Sequence, residues 1–443
     1  MAVSPARAAA FDVLIRVERE NAFASEVLHS RHYEKLSLPD HGLATELVMG
    51  VLRWRSWLDS VISRHSSLEL TKLDLEVLVA LRLAVYQMVF LERVPKRAAV
   101  HESVELVKRA RKRSAVPFAN AVLRRLSSAE LRPPELTSQP NEPAAVASAL
   151  AHPLWLVERW AREFGLDTAR QICAYDQRTP ETAVHVSDPS AIDELTQDGV
   201  LLGPGVLLSS ARRVLSGRIV ASRAFREGRV FIQDEASQLV ALLVGRAASI
   251  LDCCAAPGGK TRLLAERNSE AKILAMELHA HRARLLRERV PVQNVKVVNA
   301  DICEFPVSQL FERVLVDAPC SGTGTLSHHP EIKWRLKPED LADLQARQVA
   351  ILQAAMRHVA PGGMLVYSTC SLEREENEDV VQAALSGQSS FRIASCSGEL
   401  ERLRSEGEVI WPEPASLTCG PFLRTIPGIH ACDGFFAAIL QRR

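Results

Sequence analysis

Two cysteines in this chain end apolar runs of strand character. Cys370 follows Leu365-Val366-Tyr367-Ser368-Thr369, and Cys320 follows Val314-Leu315-Val316-Asp317-Ala318-Pro319. A lone strand-end cysteine reads most simply as a small buried hydrophobe. Two thiols delivered to the same end of a sheet point instead to covalent chemistry with a nucleophile and a helper. A free thiol titrates at about 8.5, so the attacking cysteine needs surroundings that lower it. Chemistry alone does not decide which of the two attacks.

A third run, Ile250-Leu251-Asp252-Cys253-Cys254-Ala255-Ala256-Pro257-Gly258-Gly259-Lys260-Thr261, leads from a strand through a glycine turn into a helix. The phosphate loop of NTPases needs G-x-x-x-x-G-K-[ST]. Gly259-Lys260-Thr261 fits that pattern, the first glycine falls at Cys254, and Asp317 could pass as a magnesium-holding aspartate. An NTPase therefore stays open as an alternative; a dinucleotide fold is weaker, with no G-x-G-x-x-G present. S-adenosylmethionine carries no phosphate and asks only for close backbone approach, so Cys254, Ala255, Ala256, Pro257, Gly258, Gly259 and Lys260, with Asp317, are candidate cofactor residues. Glu277 ends the next strand about 20 residues on, where an acid can accept both ribose hydroxyls. Asp301 follows the strand after that, placed for an adenine amino group. Each acid alone could be a helix cap or a solvated charge. Two acids and a glycine turn at three successive strand ends favour a cofactor containing a nucleoside.

Elements must bring these pieces together. The first 130 residues show helical spacing, as in Val77, Leu78, Leu81, Val85 and Met88. Pro133, Pro134, Pro140 and Pro143 mark a linker over 131–150. Residues 151–235 open with a helix around Leu156, Trp160 and Phe164 and continue as a small α+β unit, with possible strands at Val206–Leu208 and Arg229–Gln233. From 236 to 443 apolar strands alternate with helices: Ser249–Ala255, Lys272–Glu277, Val295–Ala300, Arg313–Asp317, Met364–Cys370 and Phe435–Leu440. This predicts an α/β, Rossmann-like, doubly wound parallel sheet, with the last strand added near its edge. The strands ending at Asp317 and Cys370 are expected to be neighbours, roughly 5 Å apart.

The chain has 443 residues, 47% hydrophobic and 24% charged, with a formal net charge of +1. That is the composition of a multidomain globular protein. Leu73–Leu91 is interrupted by Asp74, Glu76 and Arg82 and reads as a buried helix, not a membrane span. The start of the chain shows no signal-peptide pattern, so the expected compartment is the cytoplasm. Nine cysteines without any C-x-x-C argue against a disulfide scaffold or a zinc ribbon, and no metal is expected.

Together the glycine turn, Asp317-Ala318-Pro319-Cys320 and Ser368-Thr369-Cys370-Ser371 resemble the RNA 5-methylcytosine methyltransferases, in the RsmB (Sun, or Fmu) branch. Residues 1–130 resemble the NusB-type helical RNA-binding domain, through Leu47–Arg53, Ala99–Leu106 and Phe118–Arg124. Gln233–Gln238, Pro330–Arg335 and Asp433–Phe436 match as well. The resemblance implies an all-α NusB-like domain, a small α+β middle domain and a class I methyltransferase domain. It also implies S-adenosylmethionine as cofactor and methylation of a cytosine in small-subunit (16S) rRNA, by a monomer. In that reaction a thiolate adds to carbon 6 and turns carbon 5 into a nucleophile; the carbon 5 proton and the thiolate then leave. By resemblance Cys370 attacks, Cys320 assists in proton removal or enzyme release, and Asp317 holds the ring and supports a protonated nitrogen 3.

There are departures from the pattern. Ser327-His328 replaces a basic pair, Arg374 stands where proline is usual, and His185-Val186-Ser187 replaces Arg-x-Asn, so substrate contacts at these places are in question. Lys108, Arg109, Arg111, Lys112 and Arg113, with Arg124 and Arg125, form a basic run suited to RNA phosphates, although such a run is more often a solvated face. A non-catalytic RNA-binding assembly factor remains the other alternative.

Overall fold

The computed structural model describes residues 3–33, 35–132, 135 and 140–443. Pro133 and Pro134 of the expected linker lie outside the described residues; Pro143 opens a short helix, Pro143–Ala149. The chain divides into two compact units. One comprises Met1–Thr179 with Leu326–Leu336, the other Pro180–Thr325 with Lys337–Arg443.

The first unit is helical. Its long helices are Pro5–Glu20, Leu38–Arg53, Arg55–His65, Leu75–Phe90, Lys96–Arg109 and Val116–Ser128. Leu75–Phe90 buries Val77 and every residue from Val79 to Gln87, so it is apolar all round and forms the centre of the unit. Arg82, buried within it, is held by a two-pronged ion pair to Asp59, at 2.7 Å for each prong. That pairing makes the charge tolerable inside. The helices Leu154–Phe164 and Leu166–Asp176, assigned from sequence to the middle region, belong to this unit. The Pro330–Arg335 motif belongs here too: Lys333 Nζ donates to the Arg53 carbonyl (3.0 Å), Trp334 Nε1 to that of Leu52 (2.5 Å), and Ala24 N–H to Glu331 (3.0 Å).

The second unit holds two sheets. The smaller consists of β1 (Thr182–Val186), β2 (Leu201–Pro204), β3 (Ala211–Ser216) and β4 (Val230–Ile232), antiparallel in the order β2-β3-β1-β4. Val206–Leu208, expected as a strand, forms only an isolated bridge, Leu208 with Val409. Its three N–H groups all point at the Glu235 carboxylate (2.7–3.0 Å) and so cannot serve a ladder.

The larger sheet contains β5 (Ser249–Asp252), β6 (Lys272–Glu277), β7 (Val295–Asn299), β8 (Phe311–Asp317), β9 (Val359–Thr369), β10 (Phe391–Ala394), β11 (Thr418–Cys419), β12 (Phe422–Thr425) and β13 (Phe435–Arg442). The order is β11-β12-β13-β9-β8-β5-β6-β7, with β10 also on β13. Strands β9, β8, β5, β6 and β7 are parallel, as predicted. The sheet as a whole is mixed, because β13 runs antiparallel to β9. Strand β13 lies near one end of the sheet, where β12 pairs with its first half and β10 with its second. Among the described residues no helix is long and apolar enough to cross a membrane.

Candidate active site

The parallel pairing of β8 and β9 sets Asp317 opposite Ser368. The turns leaving both strands therefore start at the same level, and each carries its cysteine. Cys320 and Cys370 are half-buried, with sulfurs 3.4 Å apart. The hydrogen bond to Cys370, burial and the Glu376 carboxylate together push the Cys320 thiol well above its ordinary range. Cys320 thus keeps its proton.

Asp317 lies beside this pair on β8. Its carboxylate accepts from Lys260 Nζ (2.7 Å) and Ser368 Oγ (2.9 Å). Lys260 also sits 4.9 Å over the Phe435 ring. Upstream, Asp252 ends β5 and accepts from Thr261 Oγ (2.7 Å); burial raises its carboxyl to about 7. Between them the Cys253–Lys260 turn starts the helix Gly259–Arg267. Gly258 has φ 109°, and a Cβ there would lie 2.7 Å from Val290 and 2.9 Å from Leu286, so both conformation and space require glycine.

The turn lines an open cavity of about 790 Å³ that also exposes Lys260, Asp252, Asp317 and Gln233. The Asp252 Oδ1 and Gln233 Oε1 atoms are buried without a hydrogen-bond partner among the described residues. This bare backbone cradle with spare acceptors fits a cofactor bearing an amino group. Glu277, buried at the end of β6, accepts from His279 N–H (3.0 Å) and lies 3.7 Å from Arg282. Asp301, half-buried after β7, accepts from Cys303 N–H (2.8 Å) and caps its own turn.

Comparison with known proteins bears on these features. Residues 240–441 match the family described as 16S rRNA methyltransferase RsmB/F, and residues 4–128 match the NusB family. A protein of Bacillus subtilis (strain 168), named a probable ribosomal RNA small subunit methyltransferase B, is 31% identical over 98% of this chain and 98% of its own. The chain belongs to the RsmB family. Ribosomal RNA small subunit methyltransferase B of Salmonella typhi is 32% identical over 93% of this chain and 92% of its own. In fold the chain is similar to the crystal structure of PH0851, with TM-score 0.80, 23% identity and full coverage of both chains. As an RsmB-family enzyme it is a small-subunit rRNA methyltransferase, and its cofactor is S-adenosylmethionine; an NTPase and a non-catalytic assembly factor are set aside.

The departures from the family pattern have local explanations. Ser327 is buried in the first unit, its carbonyl accepting from Arg53 (3.1 Å), so it is placed for packing and not for a phosphate. His185 (2.9 Å) and Ser187 (2.6 Å) both bind Glu266, which ties the small sheet to the helix after the glycine turn. Arg374 is exposed and pairs with Asp379 (3.1 Å).

Sequence reasoning passed over the groups that hold the two cysteine turns together. Glu376 and Gln348 have no motif character, and Glu376 sits in an acidic run, Glu373-Arg374-Glu375-Glu376, that reads as solvent-facing. Gly324 was also missed. Its N–H donates to the Cys370 carbonyl (2.9 Å), and its own carbonyl accepts from Gly434 N–H (2.8 Å).

Proposed function

We propose that this RsmB-family enzyme methylates carbon 5 of a cytosine in 16S rRNA through a covalent adduct to Cys370. The observation that carries this reading is the pair of half-buried sulfurs 3.4 Å apart, next to the Asp317–Lys260 pair. When bound, S-adenosylmethionine supplies an electrophilic methyl group on a sulfonium centre. The Gly258-Gly259 turn, Lys260, Glu277 and Asp301 are the groups that would hold it.

The chain's own residues perform the rest. Cys370 adds as a thiolate to carbon 6 of the cytosine, and the electron pair of the broken ring double bond becomes available at carbon 5. Ring nitrogen 3 takes up the proton that the Cys370 thiol gives up, and Asp317, anchored by Lys260 and Ser368, accepts a hydrogen bond from it and so steadies the adduct. Once carbon 5 is methylated, loss of its proton to water restores the ring double bond and expels the Cys370 thiolate. Cys320, which keeps its proton, donates a hydrogen bond to that leaving sulfur and eases release. The target base must leave its stack to reach strand-end groups, which favours loops and bulges over continuous duplex.

The test is transfer of radiolabelled methyl from S-adenosylmethionine into unmodified small-subunit rRNA, followed by digestion to nucleosides. Label in 5-methylcytidine is the expected outcome; label in any other nucleoside would overturn the cytosine reading.

A further inference from the structure

The two cysteines sit on separate turns that depart from neighbouring strands. Pairing of β8 with β9 ends at Asp317 and Ser368, with one more bond from Ala318 N–H to the Ser368 carbonyl, so the ladder itself does not fix the distance between the sulfurs. The turns touch directly, through the hydroxyls of Ser321 and Ser371 (3.0 Å), the Leu372 N–H on Thr323 Oγ1 (2.9 Å) and the Gly324 N–H on the Cys370 carbonyl (2.9 Å), and one buried side chain gathers them together. Glu376 is completely buried, and its carboxylate receives four donors from three stretches of chain. Oε1 accepts from Ser321 N–H (2.8 Å) and Gln348 Nε2 (2.8 Å). Oε2 accepts from the hydroxyls of Ser321 and Ser371. Ser321 directly follows Cys320 and Ser371 directly follows Cys370. Gln348, itself buried, also donates to the Pro319 carbonyl (2.9 Å), bracketing Cys320 from its other side. The backbone of Glu376 is fixed in turn, its carbonyl accepting from the buried Tyr367 hydroxyl (2.6 Å) on β9.

We propose that Glu376 is the positioning residue of the active site, its carboxylate clamping the Cys320 and Cys370 turns so that the two sulfurs stay within hydrogen-bond distance. This rests on the reading of the two cysteines given above. Sequestering a carboxylate is costly unless its oxygens are fully hydrogen-bonded, and here every donor comes from the turns to be joined or from the helix behind them. The negative charge has a second effect, because it helps to hold Cys320 as a thiol. Glu376 therefore helps set the separation of the pair and adds to the groups that keep Cys320 a thiol, acting through the two turns.

The experiment uses the full chain carrying Glu376→Gln, in which one carboxylate oxygen becomes a donor and loses its hydroxyl partners. Two quantities are read. The first is single-turnover methyl transfer, resolved into rate and RNA concentration dependence across pH. The second needs no RNA: the equilibrium between the reduced cysteine pair and its disulfide in a glutathione buffer, where two thiols are oxidised as one glutathione disulfide is reduced to two glutathiones. The expected result is a rate reduced by about 100-fold, as for an ångström-scale displacement, with RNA half-saturation and cofactor affinity unchanged. The disulfide equilibrium should shift at least about tenfold toward the reduced pair, corresponding to a change of about 30 mV in potential. The pH profile of transfer should move to lower pH.

A normal rate, or a slow rate with an unchanged disulfide equilibrium, would overturn the proposal. If Cys370→Ala retained transfer, the catalytic reading would fail, while the glutathione equilibrium would still report on the clamp. Should Glu376→Gln not fold, Ser321→Ala and Ser371→Ala each remove one strut and leave the carboxylate in place; the same two readouts then decide.

Discussion

At the scale of single residues, the two thiols have separable duties and so predict different failures. Cys370→Ala should abolish methyl transfer while leaving S-adenosylmethionine affinity intact by calorimetry. Cys320→Ala should accumulate a protein–RNA adduct that survives denaturing electrophoresis, because the thiol that eases departure of the Cys370 sulfur is gone. An adduct with Cys370→Ala instead would reverse the assignment. The cysteines, Asp317 and the glycine turn were legible in the sequence because each lies in a short contiguous motif at a strand end. Glu376 was not. Its meaning depends on donors 55 and 28 residues away, so within its own neighbourhood it is one acid among several.

At the scale of elements, the strand-end turns are held by close backbone contact as well as by the carboxylate. A Cβ on Gly324 would come within 2.2 Å of the Gly434 carbonyl oxygen, with no flexible side chain to yield. Gly324→Ala should therefore cost about 1–3 kcal/mol of stability. It should also slow transfer by about 100-fold, by displacing the turn that follows Cys320; thermal unfolding and single-turnover rates measure the two. The parallel strands were readable because each is a bounded apolar run. Strands β2 and β3 were missed because exposed Leu201, Pro204 and Leu215 and the arginines at 212 and 213 give a small two-sided sheet no clean alternation. The short strands that flank β13 were missed for a different reason: β10, β11 and β12 are two to four residues long, too short to register as periodic segments.

The 326–336 segment permits a pH prediction. Lys333 is fully buried against the Arg53 carbonyl, and burial lowers its ammonium to about 7. Its folded value lies below its unfolded one, so between pH 7 and about 10.5 the unfolded chain binds the extra proton. Stability should therefore rise with pH across that window, by about 1.4 kcal/mol per unit, and the gain is gone once pH has fallen to about 7. Lys333→Met should flatten this dependence. Urea unfolding of both chains at pH 7 and 9, followed by tryptophan fluorescence, provides the comparison; equal slopes would refute it.

At the scale of the whole molecule, the basic run expected to attract RNA is less bare than its sequence. Lys108 pairs with Glu105 (2.6 Å), Arg109 with Asp12 (2.7 Å) and Lys112 with Asp74 (2.9 Å). Two of these three carboxylates come from other helices and turns, well separated in sequence, which is why the compensation could not be seen in the run itself. Arg111 and Arg113 have no ion-pair partner among the described residues. Replacing both with alanine should reduce the slope of log affinity for rRNA against log salt by about 0.7–0.9 for each phosphate that is no longer neutralised. Replacing Lys108 should change it less, and filter binding across a salt series tests both.

The division of the chain into 1–179 with 326–336, and 180–325 with 337–443, also bears on how the protein is made. A ribosome releases the first 179 residues long before it has translated the eleven that complete the same unit. At 5–20 residues per second that delay is about 7–30 s. Throughout it, the carbonyls of Leu52 and Arg53 and the N–H of Ala24 await Trp334, Lys333 and Glu331. The nascent helical unit is thus an open receptor for a peptide its own chain has yet to deliver. By the time that peptide arrives, β8 and the Cys320 turn have already been synthesised, so closure of the first unit is tied to synthesis past the first of the two thiols.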